Sequence, residues 1–129
     1  MQIKSKERVR DYGEVFTSTK TANEMLDTIP AEMYEPKRIW LEPACGEGVF
    51  LTEMLKRKFA RCERRSDYTD CLKSFYGMDI QADNVQITIE NIKALCRGHI
   101  KLTKDEETII ERHIMLADSL KVMAMLNGE

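Results

Sequence analysis

Ile39-Trp40-Leu41-Glu42-Pro43-Ala44-Cys45-Gly46-Glu47-Gly48-Val49-Phe50-Leu51 is the stretch on which the reading of this chain turns. Ile39, Trp40 and Leu41 form an apolar run of strand character that ends in an acid, Glu42. Gly46 and Gly48 follow at alternate positions, and a helical pattern begins almost at once. A strand, a tight glycine turn and a helix N-terminus bring backbone N–H groups against a ligand. Glycine suits such a turn because a side chain blocks close approach and because the turn needs positive φ. A bare Gly-x-Gly is also found in ordinary strand-to-helix turns, so the flanking residues must carry the rest.

Downstream, Leu51, Met54, Leu55 and Phe59 keep helical spacing, with Lys56, Arg57, Lys58 and Arg61 read as the solvated side. Residues 62–73 are charged and turn-prone and read as a loop. Phe75 to Ile80 predicts a second strand ending at Asp79. Val85, Thr88, Ile89, Ile92, Leu95 and Cys96 then share one helical face, with Gly98 as its stop. Thr103 and Glu106 have capping-box spacing ahead of a short helix anchored by Ile109 and Ile110. His113 to Ala117 predicts a third strand, followed by Asp118-Ser119-Leu120.

Upstream, Ala22, Met25, Leu26 and Ile29 mark one buried helix face that Pro30 ends. Thr21 and Glu24 are spaced as its capping box, with Ser18 as an earlier start. Residues 31–38 read as a polar connector. Before the helix, Lys4, Lys6, Arg8 and Arg10 form a basic arm that leads to Gly13-Glu14-Val15-Phe16-Thr17. Residues 1–129 thus read as a single domain, with 1–30 an N-terminal arm and helix. With 43% hydrophobic and 33% charged residues, the chain belongs with soluble globular proteins rather than disordered ones. A net charge of −2 does not suggest a dedicated nucleic-acid binder. No apolar run approaches a membrane span, and the N-terminus is no signal peptide. Cys45, Cys62, Cys71 and Cys96 hold no Cys-x-x-Cys pair, so neither zinc nor a disulfide framework is expected, and the cytoplasm is the simplest compartment.

Glu42-Pro-Ala-Cys-Gly-x-Gly-x-Phe-Leu51 resembles the Asp-Pro-Ala-Cys-Gly-x-Gly-x-Phe-Leu motif of S-adenosylmethionine-dependent DNA adenine-N6 methyltransferases, with Glu in the place of Asp. Gly13, Val15, Phe16 and Thr17 are similar to the family's Gly-x-x-Phe/Tyr-Thr-Pro motif, although Ser18 replaces the proline; Phe16 is equally readable as a core anchor. Gly77 to Ile80 reproduces a Gly-x-Asp-Ile sequence of the same family. The resemblance runs from Arg8 to Leu120 and implies a truncated Rossmann-like class I methyltransferase fold, α/β, with about three parallel strands and flanking helices. It implies that Phe16 and Thr17 lie beside the methionine part of the cofactor, and that Glu42 meets its ammonium. Ala44, Gly46 and Gly48 would admit its backbone, and Phe50 would face the sulfonium side, where cation–π attraction contributes about 0.5–2 kcal/mol. Asp79 and Ile80 would hold the ribose, and Asp118, Ser119 and Leu120 the adenine. Outside that resemblance, an acid at the end of the second strand of a nucleotide-type α/β fold can also bind both ribose hydroxyls, and the plain alternative for Asp79 and Asp118 is a strand-end cap. A dinucleotide fold is disfavoured, because Phe50-Leu51 stands where a third glycine should open for a pyrophosphate.

The family's chemistry lies in an (Asn/Asp)-Pro-Pro-(Tyr/Phe) loop that receives a flipped adenine. The prolines here are Pro30, Pro36 and Pro43, and no such tetrapeptide occurs. The expectation is a cofactor-binding fragment or split subunit, inactive alone, whose catalytic half is on another chain (a possible restriction-modification partner) or was removed, and which meets DNA only within the complete enzyme. A non-enzymatic interaction or regulatory protein with the same fold is the alternative. Without a fourth strand beside Trp40, a homo-oligomer is expected when the chain is alone, with Val122, Met123, Met125 and Leu126 as cover or contact.

Overall fold

The computed structural model describes residues 2–3 and 15–128. Lys4, Lys6, Arg8, Arg10 and Gly13 therefore lie outside the described residues, and of Phe16 only the backbone is described. The chain is α/β, with six α-helices and a three-stranded parallel sheet among the described residues. In chain order these are β1 (Gln2–Ile3), β2 (Val15–Phe16), α1 (Thr19–Leu26), a 3-10 turn (Ala31–Tyr34), β3 (Trp40–Glu42), α2 (Val49–Phe59), α3 (Arg65–Lys73), β4 (Phe75–Asp79), α4 (Ala82–Arg97), α5 (Lys104–His113), β5 (Ile114–Leu116) and α6 (Ser119–Leu126). β1 and β2 pair antiparallel, so part of the expected arm is a short ribbon.

The main sheet has the order β3-β4-β5. Trp40 stands opposite Phe75, Glu42 opposite Gly77, and Gly77 opposite Ile114. Side chains alternate across a strand, so Trp40, Glu42, Phe75, Gly77, Asp79 and Ile114 share one face. Leu51, Met54, Leu55, Ile89, Ile92 and Ile110 close over that face with Phe75 and Ile114 in one buried cluster. Each such side chain contributes about 1.5–3 kcal/mol when fully buried. Gly77 sets the approach of helix to sheet: a Cβ there would stand 2.9 Å from Leu51 Cδ1 and 3.1 Å from Ile114 Cδ1. The opposite face carries Leu41, Tyr76, Met78 and Met115. Met78 is buried, but Leu41 is 60% and Met115 39% exposed, and Ile39 just before β3 is 70% exposed. Parallel sheets are ordinarily covered on both faces.

Several expectations change. Residues 65–73 form α3 rather than a loop; Tyr68, Cys71 and Leu72 give it a narrow apolar edge, and Asp67 Oδ2 accepts the N–H groups of Glu63 (2.8 Å) and Arg64 (3.0 Å) at its start. Ser18, not Thr21 with Glu24, caps α1, its Oγ accepting the Thr21 N–H at 3.2 Å. That helix ends at Leu26, short of Pro30, and Met25 is 52% exposed. Its buried residues are Ala22 and Leu26, and Asn23 adds a polar contact with α2 by donating to Glu53 Oε1 at 2.9 Å; Met25 falls outside that narrow stripe. The connector is not simply polar, since Tyr34 is buried and donates to the Leu26 carbonyl at 2.6 Å.

Lys58 is the largest departure. Read as solvated, it is fully buried, because the chain entering β3 passes over the end of α2. Its Nζ donates to the carbonyls of Pro36 (3.2 Å) and Arg38 and to Ser74 Oγ (2.6 Å). Burial pulls its pKa down to about 8. Glu106 is also buried, completing the expected capping box with Thr103 while accepting two bonds from Arg65 (2.6 and 3.0 Å) and one from Thr69 (2.8 Å). That guanidinium foremost, helped by the Thr103 and Thr69 bonds, holds its pKa down at about 2.

Candidate functional site

The carboxyl ends of three parallel strands meet at one end of the molecule, where open α/β sheets bind ligands. β3 delivers Glu42 to that end, β4 delivers Asp79, and Ala117 after β5 donates its N–H to the Asp79 carbonyl at 3.0 Å. The turn after β3 is held by the Cys45 N–H on the Met78 carbonyl (2.8 Å) and the Gly48 N–H on the Cys45 carbonyl (2.8 Å). Gly46 and Gly48 have φ of +54° and +88°, the left-handed conformations that favour glycine.

Gly48 has a second reason to lack a side chain. A Cβ there would meet Thr88 Cγ2 at 2.9 Å, so the close approach at this position is to α4. Thr88 is fully buried and its Oγ1 donates to the Gly46 carbonyl at 2.8 Å. Asn91 Nδ2 likewise donates to the Glu47 carbonyl at 3.0 Å. α4 thus grips the outside of the turn, and its inner side borders a cavity.

That cavity measures about 240 Å³. Of the residues expected at a site, Thr17, Glu42, Ala44, Gly46 and Phe50 line it together. Cys45, Glu47 and Val49 complete the wall. They were missed as site residues although they lie within the opening stretch, and only the backbone path, not residue type, turns them inward. Ile80, Asp118, Ser119 and Leu120 do not line it. Ile80 is 45% and Leu120 78% exposed, and Asp118 Oδ1 accepts the Leu120 N–H at 3.0 Å as the cap of α6.

Asp79 adjoins the cavity wall through the turn. Its Oδ2 accepts the Gly46 N–H at 3.0 Å, while Oδ1 accepts the Gln81 N–H at 2.9 Å and Asn84 Nδ2 at 3.2 Å. A carboxylate offers about four lone-pair positions, so these bonds leave Asp79 room for roughly one more donor. Glu42 is less occupied: its Oε1 accepts the Ala44 N–H at 3.1 Å. Burial raises its pKa, an effect the Ala44 bond partly offsets. A partly desolvated carboxylate in a cavity wall favours a cationic donor. Burial pushes the Cys45 thiol up to about 11, which leaves little of it as thiolate near neutral pH. Among the described residues no three His, Cys, Asp or Glu side chains are grouped to hold a metal ion, and no helix is long and apolar enough to cross a membrane. The arrangement is equipped to accept hydrogen bonds from a polar, cation-bearing ligand lying across strand ends. The chain matches no protein-family model, no curated protein and no solved structure.

Proposed function

We propose that this chain is the S-adenosylmethionine-binding portion of a DNA adenine-N6 methyltransferase of a restriction-modification type, with a Rossmann-like class I fold. The observation that carries the reading is the positive-φ turn at Gly46 and Gly48, set between Glu42 and Asp79 at the carboxyl end of a parallel sheet. Typical small-molecule sites occupy about 300–1,000 Å³. The cavity of about 240 Å³ therefore suits one end of such a ligand. In this reading Glu42 takes the ammonium, Phe50 and Thr17 border the methionine chain, Asp79 takes a ribose hydroxyl, and the adenine lies outward toward Asp118. The bound cofactor would supply the transferable methyl group; the residues here bind and orient it.

The 129 residues contain no (Asn/Asp)-Pro-Pro-(Tyr/Phe) sequence, so the reading assigns adenine capture and DNA contact to residues outside this stretch, with the cytoplasm as the compartment. Among the described residues the edge of β3 is unpaired, and together with the exposed side chains of Ile39, Leu41 and Met115 this supports a face that further protein covers. Without that cover, a second copy is expected to take its place, and light scattering across micromolar concentrations reads this directly. The same apolar face supports the second reading, a non-enzymatic interaction protein.

Calorimetric titration with S-adenosylmethionine and S-adenosylhomocysteine separates them. The proposal expects saturable heat and a raised Tm. Glu42→Gln keeps the side chain's shape and removes its charge, and should weaken binding about tenfold, since a charge-assisted bond contributes about 1.5–3 kcal/mol. No heat and no thermal shift at millimolar cofactor would overturn the cofactor reading.

A further inference from the structure

Away from the cavity, two sulfurs lie almost in contact. Cys62, in the turn after α2, has its Sγ 3.6 Å from the Sγ of Cys71, in the last turn of α3. Both are free thiols; Cys62 is half-buried and Cys71 fully buried. A disulfide needs about 2.05 Å between sulfurs, so the pair must close by roughly 1.6 Å. Cys62 sits in a short connector outside both helices, where a small rotation is tolerated. The other two thiols are placed differently: Cys45 Sγ faces Thr88 Oγ1 at 3.8 Å, and Cys96 is sealed in the core.

We propose that Cys62 and Cys71 form a dithiol site that reacts with low-molecular-weight disulfides and closes to an intramolecular disulfide, fastening the end of α2 to the end of α3. Cys62 is the entry sulfur because it alone of the pair reaches solvent. Its thiol loses a proton, and the thiolate attacks one sulfur of the small disulfide. A mixed disulfide forms and a small thiolate leaves, taking up a proton. Cys71 then loses its proton and attacks Cys62 Sγ, expelling the second small thiolate, which is protonated in turn. Two protein thiols are oxidised to one disulfide, and one small disulfide is reduced to two thiols. Burial raises both protein thiols; Asp67 opposes ionisation of both and Asp70 that of Cys62, while the Lys58 ammonium favours it. The exchange is therefore slow near neutrality, which suits a response to sustained rather than momentary oxidation.

The site needs no ligand in the strand-end cavity, so its test is independent of the proposed cofactor. The purified full chain is incubated with oxidised glutathione, alkylated, and measured by intact mass and peptide mapping. The expected product has lost the mass of two hydrogens, keeps two of its four thiols alkylatable, and yields a Cys62–Cys71 cross-linked peptide. Its Tm should rise by several degrees and return on adding a reductant, because the bridge constrains the unfolded chain. Cys71→Ala should stop at a mixed disulfide on Cys62. If that variant fails to fold, Cys45→Ala should still form the same cross-link. A stable mixed disulfide on the unaltered chain, a cross-link involving Cys45 or Cys96, or four alkylatable thiols after oxidation would each overturn the proposal.

Discussion

The two ends of the parallel sheet are built from the same strands and do opposite things. At the amino ends of β3 and β4, Lys58 meets three oxygens, and Ser74 Oγ also lies 2.7 Å from the Pro36 carbonyl and 2.9 Å from the Cys71 carbonyl. The Trp40 N–H closes the arrangement on the Ser74 carbonyl at 2.8 Å. At the carboxyl ends, Glu42 and Asp79 retain acceptor positions and face or adjoin a cavity. Saturated polar groups rigidify, whereas acceptors left with capacity in a desolvated wall are what a ligand completes. The lesson is a division of labour along one strand: β4 begins just after Ser74 and ends in Asp79.

Three substitutions sharpen or break that division. Lys58→Met should have the largest effect. It keeps the side chain's bulk but removes three bonds to a charged donor, each contributing about 1.5–3 kcal/mol. The Arg38 carbonyl is left without the ammonium, while the Pro36 carbonyl and Ser74 Oγ keep only their bond to each other and that of Ser74 to Cys71. A loss of at least about 3 kcal/mol in denaturant unfolding, with an unchanged m-value, is expected. A loss below 1 kcal/mol would mean that the amino end is not the sheet's anchor.

Glu106→Gln should cost about 2–3 kcal/mol, because the Arg65 clamp between the helices leading into β4 and β5 loses its charge. Its signature is in the pH profile. The folded pKa of Glu106 is depressed to about 2 from an ordinary 4.5, so its contribution is complete above the ordinary value and drains as pH falls toward the folded one. The unaltered chain should lose stability across that acid window, and the variant should show a flatter slope there. Equal slopes would exclude Glu106 as the group responsible.

Gly48→Ala tests the other end and should cost the least, about 1–2 kcal/mol for the left-handed backbone, plus the clash with Thr88 Cγ2. Adding Thr88→Ser removes the methyl and keeps the hydroxyl. Partial recovery in the double variant is expected from thermal melts. Full recovery would assign the whole cost to packing and none to φ.

The turn and its flanking elements were legible because glycines punctuate them and Leu51, Met54, Leu55 and Phe59 repeat cleanly; all four are buried. The face from Thr88 to Cys96 and the Thr103–Glu106 capping box were legible for the same local reasons. What escaped was non-local. Lys58 lies beside Lys56 and Arg57 in a run that reads as solvent-facing, and only the path of residues 36–38 over the helix end buries it. α3 escaped because Asp67 and Asp70 flank Tyr68 and swamp its short apolar edge. Of the expected site, five residues gather in the cavity. Asp118 is held as a helix cap, the plain alternative that its position after a strand already allowed.

One consequence of the Asp79 carboxylate concerns observation rather than stability. It holds the amide hydrogens of Gly46 and Gln81, one on each oxygen, from two different turns. Any donor that draws electron density from that carboxylate must alter both bonds together. In a nitrogen–proton correlation spectrum these two amides are thus a matched pair of built-in reporters, 35 residues apart in sequence yet wired to one group. Correlated movement of both resonances would mark a ligand arriving at Asp79, and movement of the Gly46 signal alone would mark one that stops at the mouth of the turn.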